Sequence, residues 1–159
     1  MRHFYGRFAL IVLFIFLSIP AFANWGKFDE GMADSTKSGK YAIVDFYTDW
    51  CGWCKKMDKE VFSQSDVSSR LSREFVTIRI DAESNNPITY KGKKTTPRIF
   101  TGMMNVQGYP TLIVFNPKGE PVTQLPGYVD AKTFMMFLDY VKKEGFRTKT
   151  FEDYYRSAK

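Results

Sequence analysis

The sequence has 159 residues, of which 44% are hydrophobic and 25% are charged. This length and balance are typical of one globular domain and exclude a disordered chain. The formal net charge is +6, but the basic residues are scattered. Nucleic-acid binding needs a coherent basic stripe or a known module, and since the sequence has neither, we expect no nucleic-acid partner.

The first 23 residues have the three parts of a secretory signal peptide. Two arginines precede an apolar run over residues 8–19, and Ala21 and Ala23 have the small-x-small spacing of a cleavage site. The run is shorter than the roughly 20 residues that a membrane-spanning helix needs. We therefore favour a cleaved signal over a membrane anchor, with Asn24 as the mature start. Export to the periplasm or a similar compartment permits disulfides.

The hydrophobic periodicity of the following residues predicts helices that alternate with strands. The spacing of Trp25, Phe28 and Met32 predicts a helix over residues 24–38, and the apolar β-formers of residues 41–47 predict a buried strand. Three further elements follow in this half of the chain: a helix that opens at the cysteine pair, a helix capped by Ser65, and a strand over residues 75–80.

The second half begins with a polar stretch over residues 88–95, which we interpret as a surface excursion. Thr96 and Pro97 indicate a helix start. The closing elements are a hairpin and a helix: strands over 111–115 and 122–125, and a helix capped by Asp130 and ended at Gly145. This order predicts an α/β domain over residues 24–145, with a mixed central sheet, helices on both faces and a tail over residues 146–159.

The two cysteines, Cys51 and Cys54, are separated by two residues. Zinc and iron–sulfur sites need about four Cys or His ligands, and the single histidine, His3, lies in the predicted signal peptide. Covalent haem attachment needs His directly after the second cysteine, where this chain has Lys55. We therefore expect no metal and no cofactor.

A redox pair fits these cysteines better than a structural disulfide, since a bond that closes so short a loop stabilises the fold little. Cys51 is expected at the start of a helix, where free N–H groups and the helix dipole favour a thiolate. Cys54 is expected one turn inside and more shielded. This asymmetry suits attack by Cys51 on a substrate disulfide, formation of a mixed disulfide, and resolution by Cys54.

Around the cysteines the sequence resembles the thioredoxin family. Residues 44–55, Val-Asp-Phe-Tyr-Thr-Asp-Trp-Cys-Gly-Trp-Cys-Lys, are similar to its active-site stretch, and residues 108–111, Gly-Tyr-Pro-Thr, to its second signature. Gly127 matches a family glycine. The resemblance covers about residues 25–145 and implies a thioredoxin fold and thiol–disulfide exchange.

The resemblance also implies roles for single residues. Pro110 is implied to be a cis proline that faces the cysteines and leaves the backbone of Tyr109 to pair with a substrate segment. Trp50, Trp53 and Gly127 are implied to belong to the same docking surface. An ordinary trans loop proline and plain core packing of Trp50 are the alternatives.

Asp45 lies mid-strand, and the resemblance places it behind Cys54, where it exchanges a proton during turnover. An exposed strand position or a cap is the alternative. The lysine that the family commonly pairs with this aspartate falls at Thr77 by alignment, which makes the proton-exchange role less secure. The residues between the cysteines are Gly-Trp, and the absence of a histidine there favours a reductant over a strong oxidant.

These observations predict an exported, monomeric disulfide reductase that acts on disulfide- or thiol-containing exported proteins and is itself reduced by a membrane electron donor. A disulfide oxidase or isomerase with the same residues is one alternative. A thioredoxin-like binding or chaperone module with an inert disulfide is the other. Residues 88–101 exceed the family pattern in length and are a candidate partner surface.

Overall fold

The computed structural model describes residues 24–158, and the predicted signal peptide lies outside them. The helices are α1 (Phe28–Ser38), α2 (Gly52–Met57), α3 (Ser65–Glu74), α4 (Pro97–Met103), α5 (Ala131–Lys142) and α6 (Phe151–Ser157). The strands are β1 (Ala42–Tyr47), β2 (Val76–Asp81), β3 (Ile88–Tyr90), β4 (Lys93–Thr95), β5 (Thr111–Phe115) and β6 (Pro121–Pro126). A π-helical turn over Asp58–Phe62 continues α2, and a 3-10 turn over Gly145–Arg147 precedes α6.

Four strands form a mixed sheet in the order β2-β1-β5-β6. β1 pairs in parallel with β2 and antiparallel with β5, and β5 pairs antiparallel with β6. β1 therefore has a neighbour on each side, and residues 42–46 are all buried. The predicted buried strand before the cysteines is confirmed, and it lies at the centre of the sheet.

The side chains of β1 alternate between two apolar layers, one on each face of the sheet. Val44 packs with Phe28 of α1 and Phe100 of α4. Ile43 points the other way and packs in the cluster that contains Met57 of α2 and residues of α3 and α5. Helices cover both faces, which confirms the predicted α/β class. By the same alternation, Asp45 lies on the face that α2 covers.

The first helix begins at Phe28 rather than at Asn24. The residues before it instead run along β2, where the Gly26 N–H donates to the carbonyl of Thr77 at 2.9 Å and the Arg79 N–H donates to the carbonyl of Gly26 at 3.1 Å. Gly26 thus forms a parallel bridge beside the sheet. This bridge places Trp25 next to the side chain of Arg79.

The predicted surface excursion over residues 88–95 is the β3–β4 hairpin, and its residues are exposed or half-buried. Lys91 and Gly92 both have positive φ, as a tight two-residue hairpin turn requires. The hairpin is tied to the core by Tyr90, whose ring centroid lies 4.8 Å from that of Phe100. The strands were not predicted because most of the hairpin's residues are polar, although Ile88 and Tyr90 pack against the core cluster that contains Phe100.

The tail joins the domain through an aromatic contact on α5. The hydroxyl of Tyr140 donates to the carbonyl of Lys149 at 2.7 Å. Phe146, Phe151 and Tyr154 pack against the cluster that contains Tyr140. The described part of the tail therefore shares the core of the preceding domain.

Gly31 marks a close approach between α1 and β2 that leaves no room for a side chain. An added Cβ would lie 2.4 Å from Cγ1 and 2.7 Å from Cδ1 of Ile78, which is fully buried. We expect Gly31→Ala to lower the free energy of unfolding by about 1–3 kcal/mol, since a packed core resists added volume. Denaturant titration measures this.

Gly102 in α4 is the matched control, because an added Cβ there meets no group within 4 Å. Gly102→Ala should leave stability unchanged or raise it by up to about 1 kcal/mol through helix propensity. Equal effects of the two substitutions would contradict the packing argument.

Candidate active site

Cys51 and Cys54 form a disulfide, with their Cα atoms 5.3 Å apart. Cys51 is the N-cap residue of α2, and its Sγ accepts a hydrogen bond from the backbone N–H of Cys54 at 3.0 Å. The first sulfur therefore lies at the start of the helix, where the sequence places it. A backbone donor already aimed at this sulfur is suited to hold a thiolate there after reduction.

The expected difference in shielding between the two cysteines is not found in this oxidised form. Cys51 is 4% exposed and Cys54 is 3% exposed. Both cysteine residues are therefore buried to the same degree when the disulfide is formed.

Two pairs of aromatic rings line the site. The indole of Trp50 is 67% exposed, donates through Nε1 to Glu83 at 3.0 Å, and meets the ring of Tyr109 edge-on at 6.1 Å between centroids. Trp53 is 57% exposed, and its ring lies 5.4 Å from that of Tyr128. Core packing of Trp50 is thereby excluded. The sequence did not single out Glu83 or Tyr128, because each is brought to its tryptophan by tertiary contact.

A lysine fixes the second ring pair. The Nζ of Lys56 lies 4.9 Å from the ring centroids of both Trp53 and Tyr128, and the Tyr128 hydroxyl donates to Glu60 at 2.7 Å. Cation–π contacts of this kind contribute about 0.5–1 kcal/mol at exposed sites. Trp53, which lies between the cysteines, is thus held in place although it is exposed.

The peptide bond between Tyr109 and Pro110 is cis, as the resemblance implies. The carbonyl of Pro110 accepts the N–H of Gly127 at 2.8 Å, which joins the proline loop to the loop after β6. Gly127 has a φ of 77°, a left-handed conformation that favours glycine. The proline and glycine signatures, far apart in sequence, therefore meet through one hydrogen bond.

Asp45 is 1% exposed, so an exposed strand position is excluded. Burial raises its pKa to about 6, and the neighbouring Arg79 opposes the rise. The Nε and Nη2 atoms of Arg79 both donate to Oδ2 of Asp45, at 2.9 and 2.7 Å. The other oxygen, Oδ1, is buried and accepts no hydrogen bond from residues 24–158. Oδ2 of Asp45 therefore accepts both hydrogen bonds from Arg79, while Oδ1 has no donor among the described residues.

The cation that pairs with Asp45 is Arg79, and it does not stand at Thr77, where the family's lysine falls by alignment. The parallel register pairs Asp45 with Arg79, two residues further along β2. The Thr77 hydroxyl instead donates to the carbonyl of Asn24 at 2.8 Å. Thr77 and Arg79 lie on the same face of the strand, so the alternation could have suggested Arg79, but the register could not be known from the sequence.

Arg79 has a second carboxylate partner, Asp58, which the sequence reasoning also missed. The Nη1 atom of Arg79 donates to Oδ2 of Asp58 at 3.3 Å, and Nη2 donates to Oδ1. The guanidinium carbon lies 4.8 Å from the ring centroid of Trp25 and 5.1 Å from that of Tyr47. Arg79 is thereby fixed by two carboxylates and two rings.

Within residues 24–158, no group of three or more His, Cys, Asp and Glu side chains is arranged to hold a metal ion. In the same stretch, every helix is too short or too polar to cross a membrane.

Fold and site together define a thioredoxin-fold protein with a redox pair at a helix start. A family model for the thioredoxin-like domain matches residues 28–142. The chain belongs to the thioredoxin family. Its Cys51–Cys54 pair is that of a thiol–disulfide oxidoreductase of the thioredoxin type.

Comparisons with known proteins give the same class. Thiol:disulfide interchange protein DsbD of Vibrio cholerae is 31% identical over 125 residues, which cover 77% of this chain and 19% of that protein. The chain thus spans about a fifth of the length of the curated relatives it matches. The solution structure of a thioredoxin from Thermus thermophilus has a TM-score of 0.64 and 25% identity, covering 78% of this chain and 90% of that one. A structure of the DsbH oxidoreductase, with a TM-score of 0.63 and 15% identity, covers 94% and 96% and shows the fold alone.

Proposed function

We propose that this protein is an exported disulfide reductase that passes two electrons from Cys51 and Cys54 to disulfides of other exported proteins. The observation that carries the proposal is the position of the Cys51 sulfur, which accepts the N–H of Cys54 at the first turn of α2. The aromatic rings of Trp50 and Trp53 offer apolar surface on which a substrate segment can dock.

The proposed reaction starts from the reduced pair. The Cys51 thiolate attacks one sulfur of a substrate disulfide, so that a Cys51–substrate bond forms and the second substrate sulfur leaves as a thiolate, which takes up a proton. The Cys54 thiolate then attacks the Cys51 sulfur. The Cys51–Cys54 disulfide forms, and the substrate leaves with both of its sulfurs reduced.

Asp45 is the proposed proton acceptor for Cys54. Its Oδ1 is buried and has no hydrogen-bond donor among residues 24–158, and Asp45 lies on the sheet face that α2 covers. A carboxyl with a pKa of about 6 is poised to exchange protons near neutral pH. The proton leaves Cys54 for Asp45 as the second attack begins, and solvent removes it afterwards.

The direction of electron flow is inferred from what surrounds the sulfurs. Gly52 and Trp53 between the cysteines offer no imidazole to a thiolate. Ionised Asp45 beneath α2 disfavours a second negative charge nearby. Both effects destabilise the reduced, thiolate form and make the pair a better reductant. An oxidase or isomerase with the same residues is the second candidate.

Periplasmic location and partners belong to the same proposal. The predicted signal peptide and the likeness to an interchange protein support an extracytoplasmic site of action. A dithiol donor in the membrane has to restore the reduced pair after each turnover, since soluble reductants are scarce in that compartment. The substrates are then exported proteins whose cysteines have been oxidised.

The reduction potential tests the direction. Mature protein is equilibrated in glutathione buffers, and the reduced fraction is read from the mass added by a thiol-alkylating reagent. We expect a potential more reducing than the roughly −180 mV of protein disulfide isomerase. Trp53→His, which adds an imidazole between the cysteines, should move the potential towards the oxidising end. A wild-type value near −120 mV, typical of a strong oxidant, would overturn the assignment.

A further inference from the structure

Three charged side chains form a chain of ion pairs from the core to the surface. The exposed fraction of the side chain is 1% for Asp45, 21% for Arg79 and 42% for Asp58. Arg79 stands between the two carboxylates and bonds to both. Removing the negative charge of Asp58 therefore changes the electrostatic environment of the buried carboxylate of Asp45.

Asp58, the exposed end of this chain of ion pairs, lies directly after α2, the helix that carries the cysteines. Asp58 follows Cys54 by four residues, and its backbone N–H donates to the carbonyl of Cys54. Residues four apart on a helix lie on the same side. Asp58 thus occupies the turn directly after Cys54, while Asp45 lies on the face of β1 beneath the same helix.

We propose that Asp58 is a positioning residue for the redox reaction: by sharing the guanidinium of Arg79 with Asp45, it sets how readily Asp45 takes a proton from Cys54. The inference rests on the proposed function. Arg79 itself moves no proton, because a guanidinium stays protonated in proteins. The coupling is electrostatic, and the transferred proton goes to Oδ1 of Asp45, which carries no other hydrogen bond within residues 24–158.

Two aromatic rings flank the shared guanidinium. Trp25 and Tyr47 lie against Arg79 at 4.8 and 5.1 Å from their centroids, and these cation–π contacts favour its position between the two carboxylates. Removing Asp58 leaves the full positive charge to Asp45, whose ionised form is then favoured. Removing Arg79 has the opposite effect, because Asp45 then loses its only bonded cation among the described residues.

Other charged side chains lie near these three ion-paired residues, and they are the same in the wild type and in every variant compared below. Lys55 and Lys59 line the surface groove onto which Arg79 and Asp58 open. Asp49 and Asp81 act on the nearby phenol of Tyr47. The two lysines favour ionised carboxylates and the two aspartates disfavour them. Substitutions at Asp58 and Arg79 alone leave this background unaltered.

The experiment uses the mature protein and four variants: Asp58→Asn, Arg79→Met, Arg79→Lys, and Asp66→Asn as an exposed control of equal charge change. The carboxyl carbon of Asp45 is followed by NMR between pH 4 and 9 in the oxidised form. The pH profile of insulin reduction is measured in parallel. We expect the Asp45 midpoint to fall by roughly one pH unit in Asp58→Asn and to rise by at least as much in Arg79→Met. Arg79→Lys keeps the positive charge but not the forked donors, and its midpoint should lie between those of wild type and Arg79→Met.

The NMR titration separates this inference from the proposed function. Opposite shifts at Asp58 and Arg79, with the control unmoved, support the coupling even if insulin is not reduced, in which case the proposed function fails alone. An Asp58→Asn midpoint equal to that of wild type overturns the coupling. If Arg79→Met does not fold, the Asp58→Asn midpoint alone still decides whether Asp58 is coupled to Asp45.

Discussion

Replacing Cys51 by serine will reduce insulin turnover to the uncatalysed background, a loss of roughly a thousandfold or more, as removal of an attacking nucleophile does. The reason is that no mixed disulfide can form without the sulfur at the N-cap of α2. Replacing Cys54 will abolish turnover in a different way. Cys51 still attacks, the resolving step is missing, and Cys54→Ser should accumulate covalent complexes with its substrates.

Non-reducing gels of cell extracts separate the two outcomes. Cys54→Ser should give mixed-disulfide bands that a thiol reductant removes, and the double variant Cys51→Ser, Cys54→Ser is the control that should give none. Identification of the captured proteins would then name the substrates. Unchanged behaviour of Cys51→Ser would contradict the enzymatic function and favour a binding module with an inert disulfide.

Asp45→Asn will stabilise the oxidised protein at pH 8 and leave it nearly unchanged at pH 4. The pKa of Asp45 is raised from 3.8 to about 6 by burial. A group whose pKa is raised on folding contributes stability that is present below its unfolded pKa and lost as pH rises through the folded one. Ionising Asp45 therefore costs about 3 kcal/mol at high pH. We expect a net gain of about 2–3 kcal/mol at pH 8, because the pKa of about 6 already includes the attraction of Arg79.

Urea unfolding of the oxidised protein at pH 4, 6 and 8 measures this effect. The stability of the wild type should fall relative to that of Asp45→Asn between about pH 4 and pH 7, and the two curves should be parallel outside that window. Asp66→Asn, at an exposed position in α3, is the control and should follow the wild type. A constant difference at all three pH values would show that Asp45 does not titrate as described.

The fold and the cysteine pair could be predicted because their signals are local. Apolar β-formers before Cys51 predict β1, and the Cys-x-x-Cys spacing with no further cysteine predicts a redox pair. The Thr96-Pro97 helix start is likewise confirmed. Each of these signals involves residues close together in the chain, where propensity and spacing suffice.

The partners of the site residues could not be predicted, because they depend on register and docking. Arg79 meets Asp45 only through the parallel pairing of β1 with β2, which the intervening helices set. Tyr128 meets Trp53 only because the loop after β6 packs beside α2. The alignment with the family directed attention to Thr77, and only the observed register brings Arg79 to Asp45.

The bridge that Gly26 makes with β2 links the redox centre to the way the chain is trimmed. Trp25 covers one side of Arg79 and lies directly after Asn24, the expected first residue of the secreted form. Proteolysis a few residues beyond that point would strip the ring away and let water reach the guanidinium. Purified protein with a ragged amino terminus would then be a mixture of molecules that share the intact disulfide but differ in the pKa of Asp45. Intact-mass analysis before the titration would reveal such a mixture.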